Sequence, residues 1–339
     1  MTNTVAGNQL RDAGATSQSR LILGVDGGGT KTMALVAAVD DTGQMTIIGR
    51  GVGGPSNLRL SGIPQSLNSL DNAIDEALAA AGMTGRKFDC AVLALAGSTS
   101  PDIQRDVSDW ANKRDLSMDL EIAHDALPVL AHGTADGWGI ALIVGTGSVA
   151  VGVDIQGRSV TRGGWGHWFG DKGSGFFLGY KALAAVAEAS DDIGPKTMLS
   201  KMVLERLGTE DPRSILMKVS EGGDVRRAVA ALAPLVMEAA MRRDKVARRI
   251  VKGAVKEAVK LVAAVAKALA FEQPYPLAIA GGVICSSQLF RDELLIKLNN
   301  IKRPPAGVTL VHEPVMGCLK MALARLSTPD SGGSEPVPK

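Results

Sequence analysis

A glycine-rich stretch near the start of the chain, LILGVDGGGTKT, contains residue types that can bind an anion. Mostly aliphatic residues from Leu21 to Val25 predict a short buried strand, and a second aliphatic run begins at Met33. The glycines between them let the backbone approach a ligand, so that its N–H groups can converge. The possible donors are Gly28, Gly29, Thr30, Lys31 and Thr32. The pattern predicts either an anion-binding hairpin or a hairpin whose glycines only serve a tight turn.

Asp26 ends the first predicted strand and places a carboxylate beside the turn. Magnesium bound near phosphate groups uses one or two such carboxylates and keeps several waters, so Asp26 is the candidate metal ligand. The stretch does not match a Walker A loop, GxxxxGK[ST], and it is not a GxGxxG that opens a helix.

A second glycine turn repeats this plan later in the chain. Residues 139–144 and 149–153 predict two strands, and the sequence between them is GTGS. Its candidate donors are Gly145, Thr146, Gly147 and Ser148. Another glycine pair, Gly281 and Gly282, follows a predicted strand at 276–280, where a simple strand-to-helix turn is the alternative. Two copies of one strand–turn–strand plan predict two similar domains that face a cleft.

The remaining elements fit an α/β class. Strands are predicted at 45–50, 88–94, 120–123, 159–162 and 308–311, a loop at 51–57, helices at 63–81, 101–114, from 126 and at 315–326, and a mostly helical region at 172–270. Strand pairs followed by helix-connected strands predict mixed sheets with parallel additions.

Size and composition predict an ordinary globular protein. The 339 residues suffice for two domains, and 45% of them are hydrophobic. The net charge of +2 gives no broad attraction to nucleic acid or an anionic membrane. Cys90, Cys285 and Cys318 lack metal-type spacing and predict buried thiols in a reducing cytoplasm. The polar ends, 1–19 and 327–339, predict disorder, and no apolar run reaches membrane-spanning length.

Four motifs, in this order, resemble the sugar kinase, actin and heat-shock chaperone ATPase superfamily. DGGGTKT resembles the first phosphate motif of the superfamily, and VGTGS at 144–148 resembles the second. GGWGHWFGDKGSG at 163–175 resembles the segment that holds an amino sugar in these kinases, and AGGV at 280–283 resembles the adenosine motif. Within that superfamily the chain is similar to the N-acetylglucosamine kinase branch, grouped with the BadF/BadG/BcrA/BcrD-type ATPases. The resemblance covers roughly residues 21–326.

The resemblance implies two ribonuclease-H-like domains of the actin-like ATPase kind, each a mixed five-stranded sheet flanked by helices. The first domain would span 20–125 and be completed by the helix at 315–326. The second would span 126–314 and contain the helical insertion 172–270. ATP, Mg²⁺ and an amino sugar are the implied small molecules, and dimerisation with a second copy is common in the resembling family.

Asp125 follows the predicted strand at 120–123 and can serve in two ways. It can accept the proton of an attacking hydroxyl, or it can cap the helix that begins at Ala126. The spacing leaves both roles open, and the resemblance favours the general base. Transfer of the γ-phosphoryl group to the 6-hydroxyl of N-acetylglucosamine is then the expected reaction.

The resemblance also implies which residues contact the sugar. They are Asn57, Asp125, Thr146, Trp165 and Asp171, with Ser56 and Gly164 as further candidates. Trp165 would supply a flat apolar wall, and its alternative is a place in the core. Lys172 stands where many relatives carry Glu, and its positive charge would disfavour a free sugar amine. His167 is interpreted as structural.

Other readings remain open. Glucosamine, N-acetylmannosamine or N-acetylmuramic acid could replace N-acetylglucosamine as substrate. An ATPase that activates a radical dehydratase would need cysteines for an iron–sulfur cluster, and a sugar sensor without turnover would not need Asp125. The basic stretch from Arg242 to Lys260 has valines at helical spacing, which predicts a solvated helix face rather than a nucleic-acid site.

Overall fold

The computed structural model describes residues 19–271 and 274–327. Ten strands within these ranges form two five-stranded sheets, and helices flank both sheets. The predicted tails, 1–19 and 327–339, lie outside the described residues except for positions 19 and 327. Position 327 is the last residue of a helix.

The first sheet has the strand order β3–β2–β1–β4–β5. Its strands are β1 (Arg20–Gly27), β2 (Thr32–Val39), β3 (Met45–Gly53), β4 (Phe88–Leu95) and β5 (Ser117–His124). Helix α1 (Ile63–Ala80) connects β3 to β4, and helix α2 (Pro101–Lys113) connects β4 to β5. Strand β1 pairs antiparallel with β2 and parallel with β4, which makes the sheet mixed, as predicted.

The second sheet repeats that arrangement after a short helix, α3 (Leu127–Gly133). Its strands are β6 (Gly139–Val144), β7 (Ser148–Val153), β8 (Ser159–Gly163), β9 (Pro276–Ala280) and β10 (Gly307–Leu310). The order is β10–β9–β6–β7–β8, with β6 antiparallel to β7 and parallel to β9. The corresponding strands therefore have the same neighbours in both sheets.

Helices fill the sequence between β8 and β9. They are α4 (Gly175–Ser190), α5 (Leu199–Leu207), α6 (Ile215–Ser220), α7 (Val225–Ala230), α8 (Ala233–Met241) and α9 (Lys245–Ala268). Helix α4 begins later than the predicted start at 172 because Ser174 is its N-cap and accepts a hydrogen bond from the Phe177 N–H at 3.2 Å. Helix α9 buries Val255 and Val262 and exposes Lys256, so the basic stretch is an amphipathic helix face.

Three helices follow β9 in the described part of the chain. They are α10 (Gly282–Ser286), α11 (Gln288–Leu298) and α12 (Val315–Ser327). Helix α12 packs on β1 and β4 of the first sheet, where Val315 and Leu319 are buried. The Cys318 thiol donates to the Val25 carbonyl at 3.2 Å. The division of the chain into domains at residue 125 stays a prediction, because helix α3 packs both on α12 and on β9 of the second sheet.

Strand β3 corrects the predicted loop at 51–57, because the strand continues to Gly53. Gly49, Gly51 and Gly53 alternate along one face of β3, and a Cβ atom at any of them would overlap a carbonyl oxygen of helix α1. These glycines let a helix backbone lie directly on the strand. The predicted loop was wrong at 51–53 because glycine was interpreted there as a sign of a loop and not of close packing between a strand and a helix.

Gly317 of α12 makes a similar close contact, and its substitution tests the packing of that helix. A Cβ atom at Gly317 would overlap the carbonyl oxygen of Pro128 in α3. We expect Gly317→Ala to lower the free energy of unfolding by about 1–3 kcal/mol, as overpacking does. Gly253 of α9 is the matched control, because a Cβ there meets open space and alanine favours a helix by about 0.5–1 kcal/mol. Urea unfolding midpoints that do not separate the two variants would contradict this packing.

Candidate active site

Two glycine turns, one from each sheet, lie next to each other. The first joins β1 to β2, and the Gly28 N–H donates to the Lys31 carbonyl at 3.1 Å. The second joins β6 to β7, and the Gly145 N–H donates to the Gly147 carbonyl at 2.9 Å. The hydroxyl oxygens of Thr30 and Thr146 lie 3.4 Å apart. The structure thus brings together the two turns that the sequence predicted to face one another.

Two carboxylates lie beside the first turn because β1, β4 and β5 are parallel and end at one edge of the sheet. Asp26 is the second-last residue of β1, and Asp125 directly follows β5. Loss of hydration and the negative charge of Asp125 raise the pKa of Asp26 to about 7, although Lys31 lowers it in part. That electrostatic coupling shows that both side chains face one region.

Asp125 is not the N-cap of helix α3. The N-cap is Ala126, and no side chain caps this helix. A carboxylate oxygen of Asp125 lies 2.9 Å from Nδ1 of His124, and about a quarter of each side chain is exposed. The same Nδ1 accepts a hydrogen bond from the Ala126 N–H at 3.1 Å. Of the two roles left open by the spacing, the structure excludes the helix cap.

A cavity of about 240 Å³ opens next to the two turns. The turns contribute Thr30, Gly145 and Thr146 to its wall, and Gly282 at the start of α10 also lines it. Helices α7 and α8 provide Arg227, Ala230, Pro234 and Met237, among others. Most of this lining is apolar, as in many small-molecule pockets.

Thr32 and Ser148 lie beneath the turns. The Thr32 hydroxyl is fully buried and forms hydrogen bonds with the Gly54 carbonyl oxygen and the Ser56 hydroxyl, both at 2.7 Å. The Ser148 hydroxyl donates to the Lys172 carbonyl at 2.9 Å. These side chains hold the turns in place, and the Ser56 hydroxyl takes part in the same network.

Asp171 connects the predicted sugar-binding segment to the second turn. One of its carboxylate oxygens accepts the Ser148 N–H at 3.1 Å, and the other lies 3.4 Å from Nη2 of Arg226. The Asp171 side chain is 3% exposed. In this structure both oxygens have protein partners, while the neighbouring Lys172 is exposed to solvent.

The other predicted sugar contacts lie on more open surfaces. The side-chain oxygen of Asn57 accepts the Arg59 and Leu60 N–H groups, each at 3.2 Å, and so stabilises a turn. Trp165 is 77% exposed and is not a core residue. Trp168 and Phe169 on the same loop are also exposed, while His167 packs against Phe176. Gly164 begins this loop, and its N–H donates to the Ser148 carbonyl at 3.0 Å.

Sequence reasoning missed the contribution of helix α7. Arg226 reaches both glycine turns, and Arg227 lines the cavity. The two residues follow Asp224, the N-cap of the helix, whose side chain accepts the Arg227 N–H at 2.9 Å. That cap predicts the start of a helix, but no spacing in the sequence indicates that the helix reaches the cleft.

Comparison with known protein families decides the affiliation of the chain. Residues 23–318 match the model of the BadF/BadG/BcrA/BcrD ATPase family. The chain belongs to the BadF/BadG/BcrA/BcrD ATPase family. The matched residues include both glycine turns, both carboxylates, the cavity and the first four residues of helix α12.

Two relatives of this BadF/BadG/BcrA/BcrD ATPase match it over nearly their whole length. One is the N-acetylmuramic acid/N-acetylglucosamine kinase of Clostridium acetobutylicum, which is 30% identical over 305 residues. The other is the N-acetyl-D-glucosamine kinase of Dictyostelium discoideum, which is 29% identical over 315 residues. Each alignment covers 89% of this chain and 98% of the relative.

Solved structures agree with the fold. A Chromobacterium violaceum protein proposed to be an N-acetylglucosamine kinase superposes with a TM-score of 0.71 at 27% identity, covering 90% of this chain and 99% of that one. A hexokinase from Schistosoma mansoni, solved with glucose, superposes with a TM-score of 0.59 at 14% identity. The superposition covers 91% of this chain and 86% of the hexokinase, and at this low identity it supports only the fold. The comparisons confirm the stated resemblance, the actin-like ATPase fold and an enzyme of the phosphotransferase class.

Two kinds of feature are absent from the described residues. Among residues 19–271 and 274–327, we find no helix whose length and apolarity suit a bilayer crossing. In the same residues no three His, Cys, Asp or Glu side chains are grouped as a metal site. Cys90 and Cys318 are buried and Cys285 is partly buried.

Proposed function

We propose that this protein is an ATP-dependent amino-sugar kinase that transfers the γ-phosphoryl group to the 6-hydroxyl of N-acetylglucosamine. The observation that carries the proposal is the meeting of two glycine turns over one pair of carboxylates, Asp26 and Asp125. Membership of an ATPase family and similarity to two amino-sugar kinases support the same reaction.

The phosphates would lie between the turns, where backbone N–H groups and the two threonine hydroxyls converge. Gly28, Gly29, Thr30 and Lys31 would contact them from the first sheet, and Gly145, Thr146 and Gly147 from the second. The adenosine would extend into the cavity toward Gly281 and Gly282. The apolar wall formed by helices α7 and α8 would cover the base and exclude water.

Asp125 would act as the general base. Its carboxylate takes the proton of the sugar 6-hydroxyl as the new oxygen–phosphorus bond forms, and the bond from the γ-phosphorus to the bridging oxygen breaks. ADP leaves with that electron pair.

The residues of the cleft fit a magnesium ion. Asp26 carries a charge that its surroundings disfavour, since its pKa is raised to about 7, and a cation would relieve that cost. Mg²⁺ near phosphates commonly uses one or two carboxylates and keeps several waters. When bound, the ion would neutralise phosphate charge, and Asp26 would hold it through water.

The sugar would lie between Asn57, Asp125 and the segment that contains Gly164, Trp165 and Asp171. Trp165 lies on an exposed loop and would reach the sugar as the cleft closes. Lys172 adds a positive charge next to this segment, which disfavours a free amine and is compatible with a carboxylate on the sugar. N-acetylmuramic acid, a substrate named for one relative, is therefore the main alternative; glucosamine and N-acetylmannosamine are others.

A coupled assay of ADP release over a panel of sugars tests the function. We expect release that depends on N-acetylglucosamine and on magnesium, with weaker release for glucosamine, N-acetylmannosamine and glucose. A preference for N-acetylmuramic acid would support the kinase activity but identify a different substrate. ADP release that is independent of every sugar would favour the activator ATPase, and nucleotide binding without any release would favour a sensor.

A further inference from the structure

The guanidinium of Arg226 spans the gap between the two glycine turns. A Cβ atom built on Gly29 of the first turn would lie 3.6 Å from its Nη1, and one built on Gly147 of the second would lie 2.9 Å from its Nη2. One cation supplied by helix α7 therefore lies at the point where the turns converge. The Gly147 distance is shorter than a real Cβ contact, so glycine at this position leaves space for the guanidinium.

The hydrogen-bond donors of Arg226 are only partly satisfied within the described residues. Its side chain is 15% exposed, and Nε is buried without a hydrogen-bond partner. Its ion pair is with Asp171, at a long 3.4 Å. Guanidinium has five N–H donors and stays protonated in proteins, so most of this group's donor capacity remains available for an anion.

We propose that Arg226 is a catalytic arginine that contacts the transferred phosphoryl group. This inference rests on the proposed function and adds a residue to its site. As the bond from the γ-phosphorus to the bridging oxygen breaks and the sugar oxygen attacks, negative charge spreads over the phosphoryl oxygens. Arg226 donates to those oxygens from the side of the helical insertion, and Asp171 positions it by holding Nη2.

The position of Arg226 also explains why the cleft would respond to the γ-phosphate. An anion with two or more free oxygens can satisfy Nη1 beside the first turn and Nη2 beside the second. ADP lacks the γ-phosphoryl group and would leave the donors without that partner. Arg226 should therefore distinguish ATP from ADP and stabilise the closed cleft only while ATP is bound.

Arg226→Gln tests the proposal. We expect kcat to fall roughly 10³-fold, the size of effect that an arginine has in other phosphoryl-transfer sites, with little change in KM for the sugar. Calorimetry with a non-hydrolysable ATP analogue should show at least about tenfold weaker binding, and ADP binding should be unchanged. Arg226→Lys keeps one charge and should retain intermediate activity, and added guanidinium should restore part of the activity of the glutamine variant.

The control is Arg242→Gln, because Arg242 is exposed on the far end of helix α8 and pairs with Glu238 at 2.6 Å. Wild-type kinetics from Arg226→Gln, or equal losses of ADP and ATP-analogue affinity, would overturn the proposal. If Arg226→Gln does not fold, wild-type kcat from Arg226→Lys would overturn it as well. If the wild type phosphorylates no sugar, the proposed function fails, and the two nucleotide affinities still decide whether Arg226 contacts a γ-phosphate.

Discussion

Asp125→Asn is expected to lower kcat by about 10²–10⁴-fold while the dissociation constant of the sugar changes little. Asparagine has nearly the same shape and can still contact a hydroxyl, but its amide does not accept the proton that the reaction releases. The loss should therefore appear in kcat and in kcat/KM equally. Rapid-quench measurement of a single turnover would show whether the phosphoryl transfer itself has slowed.

Asp109→Asn provides the matched control, because Asp109 is an exposed aspartate of helix α2. Its kinetics should equal those of the wild type. Near-normal turnover by Asp125→Asn would show that Asp125 is not the general base. Loss of sugar binding together with turnover would instead give it a binding role.

Asp26→Asn is expected to abolish activity and, without magnesium, to stabilise the protein. The folded pKa of Asp26 is about 7, against an ordinary 3.8, so the folded chain holds this proton where the unfolded chain releases it. Stability is therefore lost as pH rises from about 4 to 7, and the full cost, at most roughly 4 kcal/mol, is present above pH 7. Asparagine removes that cost because it carries no charge.

Thermal unfolding with a chelator present measures this effect apart from catalysis. The midpoint of Asp26→Asn should exceed that of the wild type by several degrees at pH 8, and the difference should shrink toward pH 4. The groups that bear on this titration are Asp125, Lys31 and the buried Cys318, whose own pKa is raised well above its ordinary value by burial and by Asp26. A variant less stable than the wild type at pH 8 would show that the Asp26 carboxylate is well stabilised in the folded state.

The sequence predicted the positions of the turns and of the two carboxylates because they depend on local pattern. Aliphatic runs predict one strand that ends at Asp26 and another that ends just before Asp125. Parallel pairing through β4 brings the ends of these two strands to the same edge of the sheet. The repeat of the plan at Gly145 implied a second sheet, and the strand orders agree with it. These inferences needed only the periodic spacing of apolar side chains and the residue types that are typical of turns.

The rest of the site depends on contacts between distant segments. The contact of Asp171 with a sugar stays a prediction, and its observed contacts with Ser148 of β7 and Arg226 of helix α7 were not predicted from the sequence. Glycines in β3 indicated a loop, yet they accommodate the backbone of helix α1. The sequence did not indicate that Arg226 belongs to the site, because neither the residue type nor its spacing shows which elements its helix packs against. Long-range packing, rather than local propensity, decides each of these features.

Helix α12 has a consequence for how the protein is made on the ribosome. Strands β1 and β4 emerge early, but the helix that covers one of their faces follows only after the entire second sheet has been synthesised. Until then Ile22, Val92 and their neighbours on that face remain open to water and to other nascent chains. The N-terminal sheet is thus finished last, and a growing chain that stalls before Val315 would be a substrate for chaperones.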